Sequence, residues 1–192
     1  MPASLTLRPA LRSTHPRVIG IAGRARSGKD TVAEILLSLT VAHYRYSFAD
    51  PIRAMLLAGF GVDMANPEWQ SRKEEPAPEL LGKSPRFIMQ TLGTEWGRDI
   101  IAADLWLQLG ARRLDRTPGQ TMVIADVRFA NEAKWVRQHG VLIHLRNPRT
   151  PRIRQHSSEV GVRPAKGDLR LVNDGTLDVL RQRTSALFIP QR

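Results

Sequence analysis

Apolar and polar positions along the chain fall into alternating blocks of two kinds. "RVIGIA" (17–22) is a short apolar run, which suits a strand buried within a sheet. From Gly28 to about Ala42, "GKDTVAEILLSLTVA" sets Val32, Ile35, Leu36 and Leu39 on one side of a 3.6-residue spiral, the pattern of a helix with one buried face. "HYRYSF" (43–48) alternates and carries aromatics, as a second strand would, and Asp50-Pro51 opens a helix with proline in its first turn. The stretch 61–85 is polar and holds four prolines, so it reads as an inserted loop segment. Ser84-Pro85 predicts the cap of a further helix, "RFIMQTLG", and "TEWGRDIIAADLWLQLGARRL" continues in helical periodicity.

Beyond a turn at Thr117-Pro118-Gly119, "TMVIADV" (121–127) is a buried strand with an acid at its end. "FANEAKWVRQHG" is a helix closed by His139-Gly140, and "VLIHL" (141–145) is another strand. "DLRLVND" (168–174) reads as a last strand and "GTLDVLRQRTSALF" as a terminal helix. Strands separated by helices predict an α/β fold, a mostly parallel sheet covered on both faces. Ligands of such sheets bind outside the carboxyl ends of the strands. Gly23, Asp50, Asp126 and Arg146 all fall at predicted strand ends.

Composition narrows the classes. At 192 residues the chain suits one domain, large enough to bury roughly 70% of its unfolded surface. It has no cysteine, so disulfides and thiolate metal sites are excluded, in keeping with a cytoplasmic setting. No apolar run is long enough to span a membrane, and residues 1–16, broken by Pro2 and Pro9, read as a flexible lead-in rather than a signal peptide. Lys and Arg number 29 against 18 Asp and Glu, a net charge of +11 that favours polyanionic partners. No basic run of the kind that tracks nucleic acid accompanies it, so phosphorylated small molecules are the expected partners.

Gly23-Arg24-Ala25-Arg26-Ser27-Gly28-Lys29 matches G-x-x-x-x-G-K between a predicted strand and a predicted helix, the context that a phosphate-binding loop requires. Its backbone N–H groups and the helix N-terminus would point at phosphate oxygens, and Lys29 would bridge β- and γ-phosphates. Asp30 stands where the motif calls for a Ser or Thr hydroxyl on magnesium. Ser27 and Asp30 also fit a capping box that merely starts a helix. Thr31 cannot replace the hydroxyl by a slip of one position, because that rotates a side chain by about 100°.

The chain resembles the deoxynucleoside monophosphate kinases of tailed bacteriophages, within the P-loop nucleoside monophosphate kinase superfamily. The resemblance is carried by "GRARSGKDT" (23–31), "SFADPIR" (47–53), "MQTLGTEWGRDIIAADLW" (89–106), "VIADVRFANEA" (123–133), "HSSE" (156–159) and "VNDGTLDVL" (172–180). It implies a three-layer fold with a five-stranded parallel core (17–49, 114–145 and 161–192), a substrate-binding helical insertion at about 50–113 and a short lid at about 146–160. It implies transfer of the γ-phosphoryl group of ATP to a deoxynucleoside monophosphate, with magnesium, and makes Asp30 a family trait.

Residue roles follow as expectations. ATP would be held by Gly23, Arg24, Ala25, Arg26, Ser27, Gly28, Lys29, Asp30 and Thr31, with Asn173 at the last strand end where relatives contact adenine. Asp30 and Asp126 would manage magnesium, directly or through water. Arg128 would clamp phosphate or simply start a helix. Asp50, Arg53, Arg86, Gln90, Thr94, Glu95 and Arg98, with Arg128, form the candidate acceptor set. Among Arg149, Arg152 and Arg154 of the lid, Arg152 joins Lys29, Asp30 and Arg128 as a candidate catalytic group. His156, Ser157 and Glu159 are too close in sequence for a triad, and Trp96 and Trp106 read as core residues. A kinase for another small phosphoacceptor, or a nucleotide-dependent DNA-binding protein, are the alternatives. A homodimer is left open.

Overall fold

The computed structural model describes residues 16–150 and 162–188. Five strands form one all-parallel sheet in the order β2-β3-β1-β4-β5. They are β1 (Val18–Gly23), β2 (His43–Tyr46), β3 (Thr121–Ile124), β4 (Gly140–Arg146) and β5 (Leu169–Val172). The helices flanking them are α1 (Lys29–Leu39), α6 (Ala130–His139) and α7 (Leu177–Ala186). Between β2 and β3 the chain makes α2 (Asp50–Phe60), α3 (Pro67–Ser71), α4 (Pro85–Gln90), a π-helical stretch (Thr91–Ile101) and α5 (Leu105–Asp115).

The alternation of strand side chains sorts the core into two layers. Ile19 and Ile21 of β1 join Val32, Ile35 and Leu36 of α1 and Leu180 of α7. Val18 and Ala22 face the other way, onto Ala133, Trp135 and Val136 of α6 and the buried residues of the insertion. The all-parallel pairing puts every strand's carboxyl end on one edge, so the loops after β1, β3, β4 and β5 share a rim.

Three expectations are corrected. The stretch 61–85 is not simply loop: Val62, Met64, Trp69, Ala77 and Leu80 are buried, with α3 and a short 3-10 turn (Pro78–Leu80) between them. Its prolines start these short elements rather than forbid structure. The helix read through 94–114 is broken. Its first part is wound as a π-helix, and Ala102 is extended before α5 begins. The wider winding accompanies a tight approach: a Cβ on Gly97 would lie 2.3 Å from the Trp106 ring, and the Trp106 indole Nε1–H donates to the Gly93 carbonyl at 2.7 Å. Finally, β2 ends at Tyr46, because the Ser47 N–H turns to the Asp50 carboxylate at 2.8 Å. Ser84 does cap α4, accepting from the Phe87 N–H at 3.2 Å.

Candidate active site

Gly23 ends β1 and Arg146 ends β4, while Asn173 follows β5 directly and Asp126 lies two residues past β3. The residues from Gly23 to Lys29 wrap this rim between β1 and α1. Gly28 has φ 98°, and a Cβ there would sit 2.6 Å from the Asn173 side-chain nitrogen, so both conformation and space demand glycine. Arg26 also occupies the left-handed region at φ 61°, an unusual state for a side-chain-bearing residue and one found at ligand-cradling turns.

The expected capping box at Ser27 does not form. Gly28 occupies the N-cap of α1 with no side-chain cap, and the buried Ser27 hydroxyl has no hydrogen-bond partner among the described residues. The helix N-terminus is thereby left to its backbone N–H groups, which suits an anion.

Lys29 folds back over the loop, donating to the carbonyls of Gly23 at 2.9 Å and Arg24 at 3.0 Å. Its ammonium lies 3.6 Å from Asp126 Oδ1. The other oxygen of Asp126 accepts from Arg128 Nε at 2.6 Å. Lysine, aspartate and arginine thus alternate in charge along the rim, with the Asp126 side chain 36% exposed. Such a carboxylate suits magnesium, which is commonly held by one or two carboxylates, substrate phosphates and retained waters. Asp30 stands apart from this row: its side chain pairs with Arg45 of β2, which also binds Glu34. Among the described residues no group of three or more His, Asp or Glu could hold a metal by protein atoms alone.

Asn173 reaches the loop in an unexpected manner. Its side-chain NH2 donates to the Ser27 carbonyl at 2.9 Å, and its backbone N–H to the Arg146 carbonyl at 2.8 Å. The residue read as an adenine contact here braces the turn between β1 and α1. Arg149 donates to the Asp174 carbonyl at 2.6 Å. Arg152, Arg154, His156, Ser157 and Glu159 lie outside the described residues.

The acceptor candidates are dispersed. Asp50 and Arg53 pair with each other at 2.7 Å, and Arg86 pairs with Glu74 at 2.5 Å. Gln90, Thr94 and Glu95 are exposed, as are Arg24, Ala25, Arg26 and Thr31 of the loop region. Trp106 is buried, as read from the sequence, whereas Trp96 is 37% exposed. Arg98 projects from the π-helical stretch onto Glu132 of α6 at 3.0 Å and over the Phe129 ring, 3.8 Å from its centroid.

Glu132 was not singled out from the sequence. It is a buried acid whose second oxygen accepts the N–H groups of Arg128 at 2.9 Å and Phe129 at 3.2 Å. Burial raises its pKa, against the opposing pull of those two N–H bonds and of Arg98. The available signal was its place in the first turn of "FANEAKWV", where an acid reaches back to the helix start. Arg45 was likewise missed, although a lone arginine among the alternating aromatics of β2 marks an outward-facing charge.

A family model described as deoxynucleotide monophosphate kinase matches residues 17–76 and 82–184. A protein of Acanthamoeba polyphaga mimivirus, named as a deoxynucleotide monophosphate kinase, is 32% identical over 175 residues, covering 84% of this chain and 90% of its own. The deoxynucleoside-5'-monophosphate kinase of Escherichia phage T5 is 26% identical over 179 residues, with 63% and 72% covered. Among solved structures, TT1252 from Thermus thermophilus superposes with a TM-score of 0.52 at 19% identity, over 90% of this chain and 96% of that one, a likeness of fold.

Proposed function

Because the chain belongs to the deoxynucleotide monophosphate kinase family, and is by that family a dNMP phosphotransferase, we propose that it transfers the γ-phosphoryl group of ATP to the phosphate of a dNMP. An oxygen of the acceptor phosphate attacks the γ-phosphorus, the bond from that phosphorus to the β–γ bridging oxygen breaks, and dNDP and ADP leave. The observation that carries this reading is the row of Lys29, Asp126 and Arg128 beside the phosphate loop on the carboxyl rim of the sheet.

In this reading the loop N–H groups and the α1 N-terminus hold the donor's phosphates. Lys29 exchanges its two loop carbonyls for phosphate oxygens and stabilises the charge that spreads over the transferring group. Its place 3.6 Å from Asp126 keeps the ammonium on the rim before nucleotide arrives. Magnesium would supply neutralisation of the polyphosphate charge there. Asp126 would hold its water shell, and Asp30 would contribute only on leaving Arg45. Arg128 is set by Asp126 to face the incoming phosphates.

The insertion at about 50–113 receives the acceptor, with Gln90, Thr94 and Glu95 on its exposed face as base and sugar readers and Arg53 or Arg86 as phosphate partners. The segment 146–160 acts as a lid, with Arg152 as its catalytic arginine by sequence position. Preorganised positive charge closing over the site both stabilises the transition state and excludes water.

The test is ADP release measured with ATP, magnesium and each dNMP in turn. Turnover with at least one dNMP is expected. Turnover with none, alongside turnover of a different phosphoacceptor, would overturn the substrate assignment.

A further inference from the structure

We propose that Glu132 is a positioning residue that couples the two halves of the phosphoryl-transfer site. The inference rests on the reading above that the insertion takes the acceptor and the phosphate loop takes the donor. A continuous polar chain links those halves. It starts at Arg98 on the π-helical stretch, which donates to Glu132 Oε1 at 3.0 Å. It passes through Glu132 Oε2 to the backbone N–H groups of Arg128 and Phe129 at 2.9 and 3.2 Å. It continues from the Arg128 side chain to Asp126 at 2.6 Å and from Asp126 to Lys29 at 3.6 Å.

The Glu132–Arg98 link has few alternatives. The Glu132 side chain is 5% exposed and that of Arg98 19%, so neither can trade its partner for water without leaving the interior. Phe129 carries the Arg98 guanidinium on its ring face, which fixes the guanidinium plane as well as its charge. The stretch bearing Arg98 is itself pinned, since Trp106 bonds the Gly93 carbonyl and fills the space over Gly97. A displacement of the insertion on taking up an acceptor is therefore passed to the Arg128–Phe129 backbone through the Glu132 carboxylate, with the Phe129 ring under Arg98 as a second contact. Glu132 is too enclosed to meet substrate, so its part is to hold and relay rather than to exchange a proton with the reacting atoms.

The relay is tested with three variants: E132Q, R98M and the paired E132Q/R98M. In the paired variant the amide carbonyl introduced at position 132 still serves the two backbone N–H groups and no unpaired buried charge remains, so it keeps the fold if either single variant loses it. Turnover on a dNMP and hydrogen exchange of residues 91–101, with and without a non-hydrolysable ATP analogue, are measured for each. In the unmodified protein the analogue slows exchange in 91–101 at a distance; in the paired variant that response disappears. kcat falls by about tenfold or more while KM for ATP stays within about twofold, because geometry rather than donor binding is lost. The paired variant is no worse than either single one, as for residues acting as a unit. A folded paired variant with unmodified kcat and an unmodified exchange response would overturn the relay. Absence of dNMP turnover in the unmodified protein would instead overturn the function assigned above and leave the exchange result to be read by itself.

Discussion

Two arginine–carboxylate junctions hold the α6 side of the sheet, and their carboxyl groups are shifted in opposite directions. At the entry to β5, Asp168 takes both Nε and NH2 of Arg137 at 2.8 and 2.7 Å, the Ala165 N–H at 2.7 Å and a contact with His144 Nε2 at 2.8 Å. The paired Arg137 bonds, helped by those of Ala165 and His144, drive its pKa far below the ordinary carboxylate range despite burial. Beside the candidate site, Glu132 has one arginine bond and two backbone N–H groups, and there burial wins and the pKa rises. The two side chains are similarly enclosed, at 3% and 5% exposure. At Asp168 the two-pronged arginine contact outweighs the desolvation of the charge, whereas at Glu132, set deeper in the protein, desolvation outweighs the single arginine bond and the two N–H groups. One junction is built as an anchor for the chain entering β5. The other holds a carboxyl whose charged form is disfavoured by burial, one helix turn from the Asp126–Arg128 pair.

K29A is expected to lower kcat by about a thousandfold with little loss of stability, because the Lys29 ammonium bonds only loop carbonyls and a half-exposed acid. Steady-state kinetics beside a thermal melt check this; near-unmodified turnover in a folded variant would remove Lys29 from the site. D168N should do the reverse, destabilising the fold by about 3 kcal/mol while leaving kcat of the folded fraction close to unmodified. Denaturant titration measures the first part, and a large kcat loss without destabilisation would tie Asp168 to catalysis.

The opposite pKa shifts predict opposite pH dependences. A carboxylate with a lowered folded-state pKa contributes stability that is present above its unfolded value, near 3.8 for Asp168, and lost as pH falls below it. D168N should therefore flatten the acid limb of a stability–pH curve. Glu132, raised above its ordinary 4.5, favours the fold while protonated and loses that contribution as pH climbs through the raised value. E132Q should flatten the curve on that side instead.

The smallest effect is expected at Asn173. N173A removes one hydrogen bond to the Ser27 carbonyl, worth about 1 kcal/mol, or about fivefold in KM for ATP. If Asn173 braces the loop, ATP and GTP weaken alike; if it reads adenine, ATP alone weakens.

The sequence placed the strands, the glycine-bearing turn between β1 and α1 and the rim residues Gly23, Asp126 and Arg146, and the family the chain belongs to. These features are local: period-two and 3.6-residue alternation reports burial of one face, and glycine and lysine spacing reports the conformation of one loop. It did not foresee where the charges would pair. Arg98 looked like an acceptor ligand and holds Glu132, 34 residues on. Asn173 looked like a base contact and braces Ser27 across 146 residues. Asp30 looked like a metal ligand or a cap and meets Arg45 from the neighbouring strand. A long polar side chain carries no periodic signature of its partner, since any carboxylate or carbonyl within reach satisfies it. Which of them comes within reach depends on how the insertion, α6 and the rim pack, and that packing exists only once the chain has folded.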